Sequence, residues 1–548
     1  MWEIFSKKQT SVGSAAFILV SMVLASRVLG LVRDRLLSAR FNPDQLGIYF
    51  AAFRLPNLMF ELLVTGALTS AFIPVFTKYV TQEKDKEGWH MASTLINLSI
   101  VVFFLFAVPI YIWTDPISRA MTPGFSPREI DLMVAFTRFM ILSQVLPLLI
   151  GNFFTGILQS YNLFIIPAVA PVIYNVGIII GIVAFSSTWG LWGPVFGVGL
   201  GALLFMLIQI PLLVRIGYRH DADLDIHHKG VREVGRLIAP RTLGLAVSQI
   251  DTTIDLVMSS LLGPSAITVF NFAQHLQQLP IGLFGASVAQ AALPTLSVAT
   301  VKEDIEQFKS SIISATHQIL FFVLPSTVFF IVLRLPIVRL VFGASQFDWQ
   351  ATVLTGMTLS TFSISLFAQS LVHVFARGFY ALYDTKTPVI ISIISIAINS
   401  IASVVFVLGM HLPVWSLGLS TSIASIVNVI VLFLLLDRRV SSFSRWRMFV
   451  PPIKMVVASL IAGIAMFIPL KLFDQLIFDT TRTFGLLLLT VTAGGLGLVV
   501  YVAISWLFNI GEVHSFISLM RRVRRRTPVL LEPASELVSG GVGEKLSQ

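Results

Sequence analysis

The sequence predicts an all-α polytopic membrane protein of about fourteen transmembrane helices. Three observations predict it: an excess of apolar residues, their grouping into runs about one bilayer long, and the alternation of positive charge between those runs. Of 548 residues, 55% are hydrophobic and only 12% charged, and mean hydropathy is +0.86. Soluble domains carry charge on about a quarter of their residues. A single soluble core cannot hide this much apolar surface, and each hydrocarbon crossing takes roughly 20 residues of helix.

In chain order the runs fall at 14–40, 45–77, 90–113, 129–159, 164–186, 190–214, 233–262, 266–299, 310–340, 350–381, 388–409, 415–436, 453–472 and 483–508. The first is interrupted by Arg27, Arg33, Asp34 and Arg35. Lys7 and Lys8 lead into it and no small-residue cleavage site comes after, so it reads as the first helix of the mature protein and not as a removable signal. Of the 38 Lys and Arg, the odd-numbered connections hold seven: Arg40, Arg119, Arg128, Arg334, Arg339, Lys471 and Arg482. The termini and even-numbered connections hold most of the others, which places both termini in the cytoplasm.

The chain also repeats itself at a spacing near 220 residues. Phe50 to Pro74 runs parallel to Phe270 to Pro294, and Gly156 to Asn162 resembles Gly378 to Asp384, with Asn175 and Asn399 following. The predicted organisation is therefore an N-lobe at 10–218 (helices 1–6), a C-lobe at 229–437 (helices 7–12) and an added helix pair at 450–510. An even number of helices per copy gives both lobes the same orientation, with a site between them. A basic then disordered cytoplasmic tail at 520–548 ends the chain. Its Arg521-Arg522-Val523-Arg524-Arg525-Arg526 cluster suits anionic membrane lipids, not nucleic acid, as a topological anchor or a regulatory or partner site.

No enzyme motif is present: there is no Gly-rich phosphate loop, no HExxH and no soluble nucleotide-hydrolysing domain. With no cysteine, disulfides and thiolate metal sites are excluded. The informative residues are intramembrane ions, since a charge at the bilayer centre costs about 3 kcal/mol on insertion scales and seeks a partner or water. Helix 1 carries Arg27, Arg33 and Asp34, and helix 2 carries Arg54 and, seven residues on, Glu61. They form either ion pairs locking helices 1 and 2 or a cationic cavity, which the excess of Arg and its bidentate fit to phosphate favour. The second lobe differs in sign. Asp251 and Asp255 lie four apart on helix 7, suited to Na⁺, to protons or to plain interhelical hydrogen bonds. His275 on helix 8 is either a phosphate contact or a structural donor.

Ser26-Arg27-Val28-Leu29-Gly30-Leu31-Val32-Arg33-Asp34, Phe53-Arg54-Leu55-Pro56-Asn57, Gly66-Ala67 and Ala71-Phe72-Ile73-Pro74 together resemble the MurJ/MviN family of lipid II flippases. So do Gly378-Phe379-Tyr380 and Asp384-Thr385-Lys386-Thr387-Pro388. The resemblance implies a fold related to the multidrug and toxin exporters, with two six-helix lobes and two extra helices forming a groove for a lipid tail. It also implies alternating access that carries lipid II, the undecaprenyl-pyrophosphate-linked peptidoglycan precursor, across a bacterial cytoplasmic membrane, alongside cell-wall synthesis proteins. No cofactor is implied, but Na⁺ or H⁺ coupling or the membrane potential is, with a sodium site that Asp251 and Asn399 match. Arg27, Arg33 and Asp34 match family cavity residues, and Arg54 stands where a basic residue is common. The chain departs from the pattern at Phe60 and His275, where the family has arginines, and around Gly47 and Ile48, where it has an aspartate. The alternatives are an exporter of another lipid-linked glycan or of cationic compounds, and a transport-inactive membrane scaffold.

Overall fold

The computed structural model describes residues 12–65, 71–474, 479–480 and 482–513, leaving aside the side chains of 12–20, 65 and 239–248. Gly66-Ala67 of the family motif, the basic run at 521–526 and the tail to 548 lie outside the described residues. The long helices are α1 Val12–Arg40, α2 Pro43–Val64, α3 Asp85–Ile112, α4 Pro127–Ser160, α5 Ile165–Trp189 and α6 Trp192–Arg215. The second set is α7 Lys229–Leu261, α8 Pro264–Val301, α9 Ile305–Val332, α10 Trp349–Ser363 with Leu366–Ala381, α11 Lys386–Gly409 and α12 Trp415–Arg439. Two more close the chain, α13 Arg445–Phe473 and α14 Thr483–Leu507.

Eleven of these, or twelve with the bent α10 counted as one span, are long and apolar enough to cross a membrane. The remaining two, α1 and α7, have 29 and 33 residues. At 1.5 Å per residue each exceeds the roughly 30 Å hydrocarbon thickness. Both carry intramembrane charges. In α1 those charges share the helix with an outward face of Val23, Leu24, Val28 and Val32, all exposed, while Asp34, Leu37 and Ser38 are buried. Exposed Leu105, Phe106, Ile401, Ile464 and Val499 continue an apolar belt around the molecule, which only lipid satisfies.

Local sequence explains where helices start. Asn42 accepts from the Gln45 N–H while Gln45 caps Asn42 in return, and Pro43 fills the first turn of α2, whose N–H groups need no helical partner. Ser126, Pro127 and Glu129 do the same for α4. The α7–α8 turn passes through Gly263 at φ +98°, a conformation that only glycine adopts without strain. The run at 350–381, expected as one helix, is instead broken by a 42° bend after Ser363. No proline lies there. The Ser363 and Ser365 hydroxyls bond the Leu359 and Phe362 carbonyls, competing with the backbone ladder at the break.

Elements recur at the sequence spacing. Short helices Thr114–Met121 and Arg334–Val341 come after α3 and α9, and π-helical turns Glu61–Thr65 and Ile281–Ala286 interrupt α2 and α8. A further pair is Gly181–Phe185, one turn before the end of α5, and Val405–Gly409, at the end of α11. The two sets meet along α2 and α8, while α13 and α14 pair with each other and lean on α9.

Candidate functional site

Between the two sets lies a polar cavity of about 360 Å³, lined from α1, α2, α5, α7 and α8. Arg33 and Arg54 bring its positive charge, with His275, Tyr49, Asn57, Tyr174, Asn271 and Gln274 around them. Arg33 is fixed by its own neighbour: Nε and Nη2 donate to Asp34 Oδ1 at 3.0 and 2.8 Å, and Nη1 donates to Asn175 on α5 at 3.2 Å. The other Asp34 oxygen meets His275 Nδ1 at 2.8 Å. Asp34 is thus a fully buried bridge joining α1 to α8, and so one helix set to the other.

Arg54 makes a second bridge. Its Nε and Nη2 donate to Thr253 Oγ1 at 3.1 and 2.7 Å, Nη1 donates to the Gln249 side chain at 2.9 Å, and Nη2 also reaches the Gln249 carbonyl. Every one of these partners lies on α7. Glu61, expected with Arg54 in the same site, sits in the π-turn of α2, half buried, and does not line the cavity.

Arg27 is also outside the cavity lining. It lies on the α1–α8 seam, where Nη1 donates to the Gln278 carbonyl at 3.1 Å and the guanidinium packs against Gly282. At Gly47 the aspartate of the family pattern is missing, and a side chain there would run into the Pro264 backbone. Asp44, one turn earlier, accepts from the Ser265 N–H at 3.1 Å, and Thr268 Oγ1 donates to the Pro43 carbonyl at 2.7 Å. These contacts shut the cavity at the end of the bundle that holds the α1–α2 and α7–α8 turns. At the opposite end α7 crosses to the first set, through the Lys78–Glu233 ion pair and through Gly230 seated on Met91 and Tyr79.

In the second lobe Asn399 Nδ2 donates to Asp251 Oδ1 at 2.9 Å and Asp255 Oδ1 at 3.3 Å, so the three predicted residues do come together. Asn399 Oδ1 is buried and makes no hydrogen bond. Turning the amide over, so that its O and N change places, would aim three oxygens toward one point. The donor set then fits a hard cation such as Na⁺. Asp255 also lines the central cavity, so the acidic group and the cationic one share a wall.

Sequence reasoning missed Gln249, Thr253 and the tyrosines, which carry no charge to single them out. It also missed the role of Asn175. The repeat held that signal, since Asn175 and Asn399 occupy matching helices and each holds the charged stretch of its lobe's first helix.

Beside the cavity, α8, α9, α13 and α14 form an apolar groove of about 650 Å³, lined by residues such as Leu283, Phe284, Phe329, Met466, Leu498 and Tyr501. It starts at Leu279 and Pro280, directly after the Gln278 carbonyl that receives Arg27.

The chain is 27% identical over 511 residues to a probable lipid II flippase MurJ of Bdellovibrio bacteriovorus, covering 91% of this chain and 95% of that one. A solved lipid II flippase MurJ in an inward closed conformation superposes with a TM-score of 0.74 at 26% identity, over 90% of this chain and 98% of the other. An inward-facing multidrug transporter of the MATE family shares the fold, with a TM-score of 0.64 at 17% identity over 78% and 98% of the two chains. The sequence model for Lipid II flippase MurJ matches residues 44–489, and by that match the chain belongs to the lipid II flippase MurJ family.

Proposed function

We infer that this protein is a flippase that carries lipid II across the membrane, by opening the cavity between its helix sets to one side and then to the other. The observation that carries the reading is that Arg33, Arg54 and His275 converge on one polar cavity between the sets. Guanidinium groups bind phosphate oxygens through paired N–H donors, so Arg33 and Arg54 suit a pyrophosphate. The apolar groove of α8, α9, α13 and α14 suits the polyprenyl tail, and Arg27 stands where headgroup and tail part. A cavity of about 360 Å³ is at the small end of ligand sites, roughly 300–1,000 Å³. A glycan-peptide headgroup therefore enters only after the lobes part. Each arginine now spends its donors on Asp34, Asn175, Gln249 or Thr253. An arriving pyrophosphate exchanges those bonds for its own and loosens the bridges between α1 and α8 and between α2 and α7.

With both termini in the cytoplasm, as the charge distribution supports, the Lys78–Glu233 end faces inward and the Asp44–Ser265 end faces outward. An anionic headgroup leaving an inside-negative cell gains about 2.3 kcal/mol per charge per 100 mV. Asp251, Asp255 and Asn399 would hold Na⁺, or a proton on a carboxylate, and so tie the position of α7 to an ion gradient. A cation exporter is less well served, since the cavity places two arginines and a histidine against Asp255. The test is rescue of cells depleted of their own flippase. Arg54→Gln, present in the membrane at wild-type level, is expected to lose rescue; undiminished rescue would refute the assignment of the cavity to the headgroup.

A further inference from the structure

Residues 216–228 connect α6 to α7, and they fold back onto the start of α3. Three α3 side chains on one helical face, His90, Ser93 and Asn97, receive this linker. Asn97 Nδ2 donates to the Asp221 and Asp223 carbonyls at 2.8 and 3.1 Å, and the Asp221 N–H donates to Ser93 Oγ at 3.1 Å. The backbone is thereby held, while the Asp221 carboxylate meets His90 and the Asp223 N–H, the Asp225 carboxylate accepts from the His227 N–H, and the Asp223 carboxylate makes no hydrogen bond among the described residues. His90 Nδ1 lies 2.9 Å from Asp221 Oδ2, and ligand atoms of His90, Asp221 and Asp223 all lie within 4.8 Å of one another. Asp225 Oδ2 is 3.9 Å from His90 Nε2. Among the described residues this is the only such cluster built from three histidine, aspartate or glutamate side chains.

The spacing has a chemical meaning. His90 Nδ1 and Asp221 Oδ2 share a hydrogen bond at 2.9 Å, and two ligand atoms each about 2.1 Å from one octahedral ion stand about 3.0 Å apart, so an ion can replace the shared proton with little movement of either side chain. Three aspartates at alternate positions of a five-residue stretch repel one another, and His90 is the group they share. One imidazole with two or three carboxylates is a donor set for divalent ions of intermediate hardness. We propose that His90, Asp221 and Asp223, with Asp225 in reach, bind a divalent transition-metal ion of the Mn²⁺ or Zn²⁺ class. The ion fastens the linker to α3. It thereby holds the first turn of α7, which begins at Lys229, docked against Met91 and Tyr79.

The test uses the purified full-length protein in detergent, titrated with Mn²⁺, Zn²⁺ or Mg²⁺ salts while thermal unfolding and bound metal are measured. Saturable stabilisation by Mn²⁺ or Zn²⁺ at one ion per chain is expected, weakened about tenfold or more in His90→Ala. Asp223→Asn serves as the second variant, because the Asp223 carboxylate makes no hydrogen bond among the described residues and its loss leaves folding intact. Asp131→Asn, on exposed α4 surface, is the control and keeps the wild-type response. No saturable metal response, a response to Mg²⁺ alone, or one unchanged in both His90→Ala and Asp223→Asn overturns the proposal.

Discussion

Charge at single positions decides how the two lobes differ. Arg33 in the first and Asp251 with Asp255 in the second are each held by an asparagine on the matching helix, so one frame carries a cationic site and an acidic one. Removing Arg54 leaves the Gln249 side-chain oxygen without its donor, at a cost of about 1–3 kcal/mol. Arg54→Lys keeps the charge but not the planar fork, and is expected to rescue flippase-depleted cells only in part. Rescue equal to wild type at matched expression would show that charge alone suffices. His275 stands where the family pattern has arginine, and its ring bonds the same Asp34 that Arg33 holds. His275→Arg offers that carboxylate a permanent cation and is expected to raise thermal stability without abolishing rescue; a fall in melting temperature would contradict the bridge. The charged members of both sites were legible in the sequence because charges inside apolar runs are rare. Their uncharged partners were not, because spacing within one helix carries no information about which helix lies opposite.

At the level of elements, apolar runs, caps and punctuation placed the helices well, and the bend in α10 lies where hydroxyl side chains act on the backbone. The bend in α10 and the π-turn beneath Glu61 both depend on local hydrogen bonding that composition does not encode. The α10–α11 turn gives a pH-dependent prediction. Asp384 accepts from the Thr387 N–H, the Thr387 hydroxyl and the Lys386 N–H, which hold its carboxyl below the usual range. A depressed folded pKa stabilises above the unfolded value near 4 and is lost as pH falls through the folded value. Asp384→Asn should therefore narrow the stability difference between pH 7 and pH 3.5, measured by thermal unfolding in detergent. An unchanged pH profile would remove Asp384 from the account. In the groove, Gly495 has open space where a side chain would go. Gly495→Trp is expected to fold normally yet slow flipping of long-chain substrate, read as reduced rescue at normal membrane abundance.

For the whole molecule, the repeat and the sign of its charges were readable from sequence, whereas the state of closure was not. Closure depends on contacts between residues about 220 positions apart, such as Asp44 with Ser265 and Thr268 with the Pro43 carbonyl. The α2–α8 crossing is tight because Gly47 lets the Pro264 backbone approach, and Gly124 meets the Ser260 carbonyl in the same way. If these contacts open and close in each transport cycle, a covalent link across them must arrest it. The chain has no cysteine, so Asp44→Cys with Ser265→Cys introduces the only thiols. Oxidised cells carrying this pair are expected to stop exporting lipid II, and a membrane-permeant reductant should restore export. Each single variant should keep rescue under both conditions, since one thiol links nothing. Continued transport with the link formed, verified by a mobility shift on a gel, would mean that α2 and α8 stay together throughout and that substrate leaves by another path between the lobes.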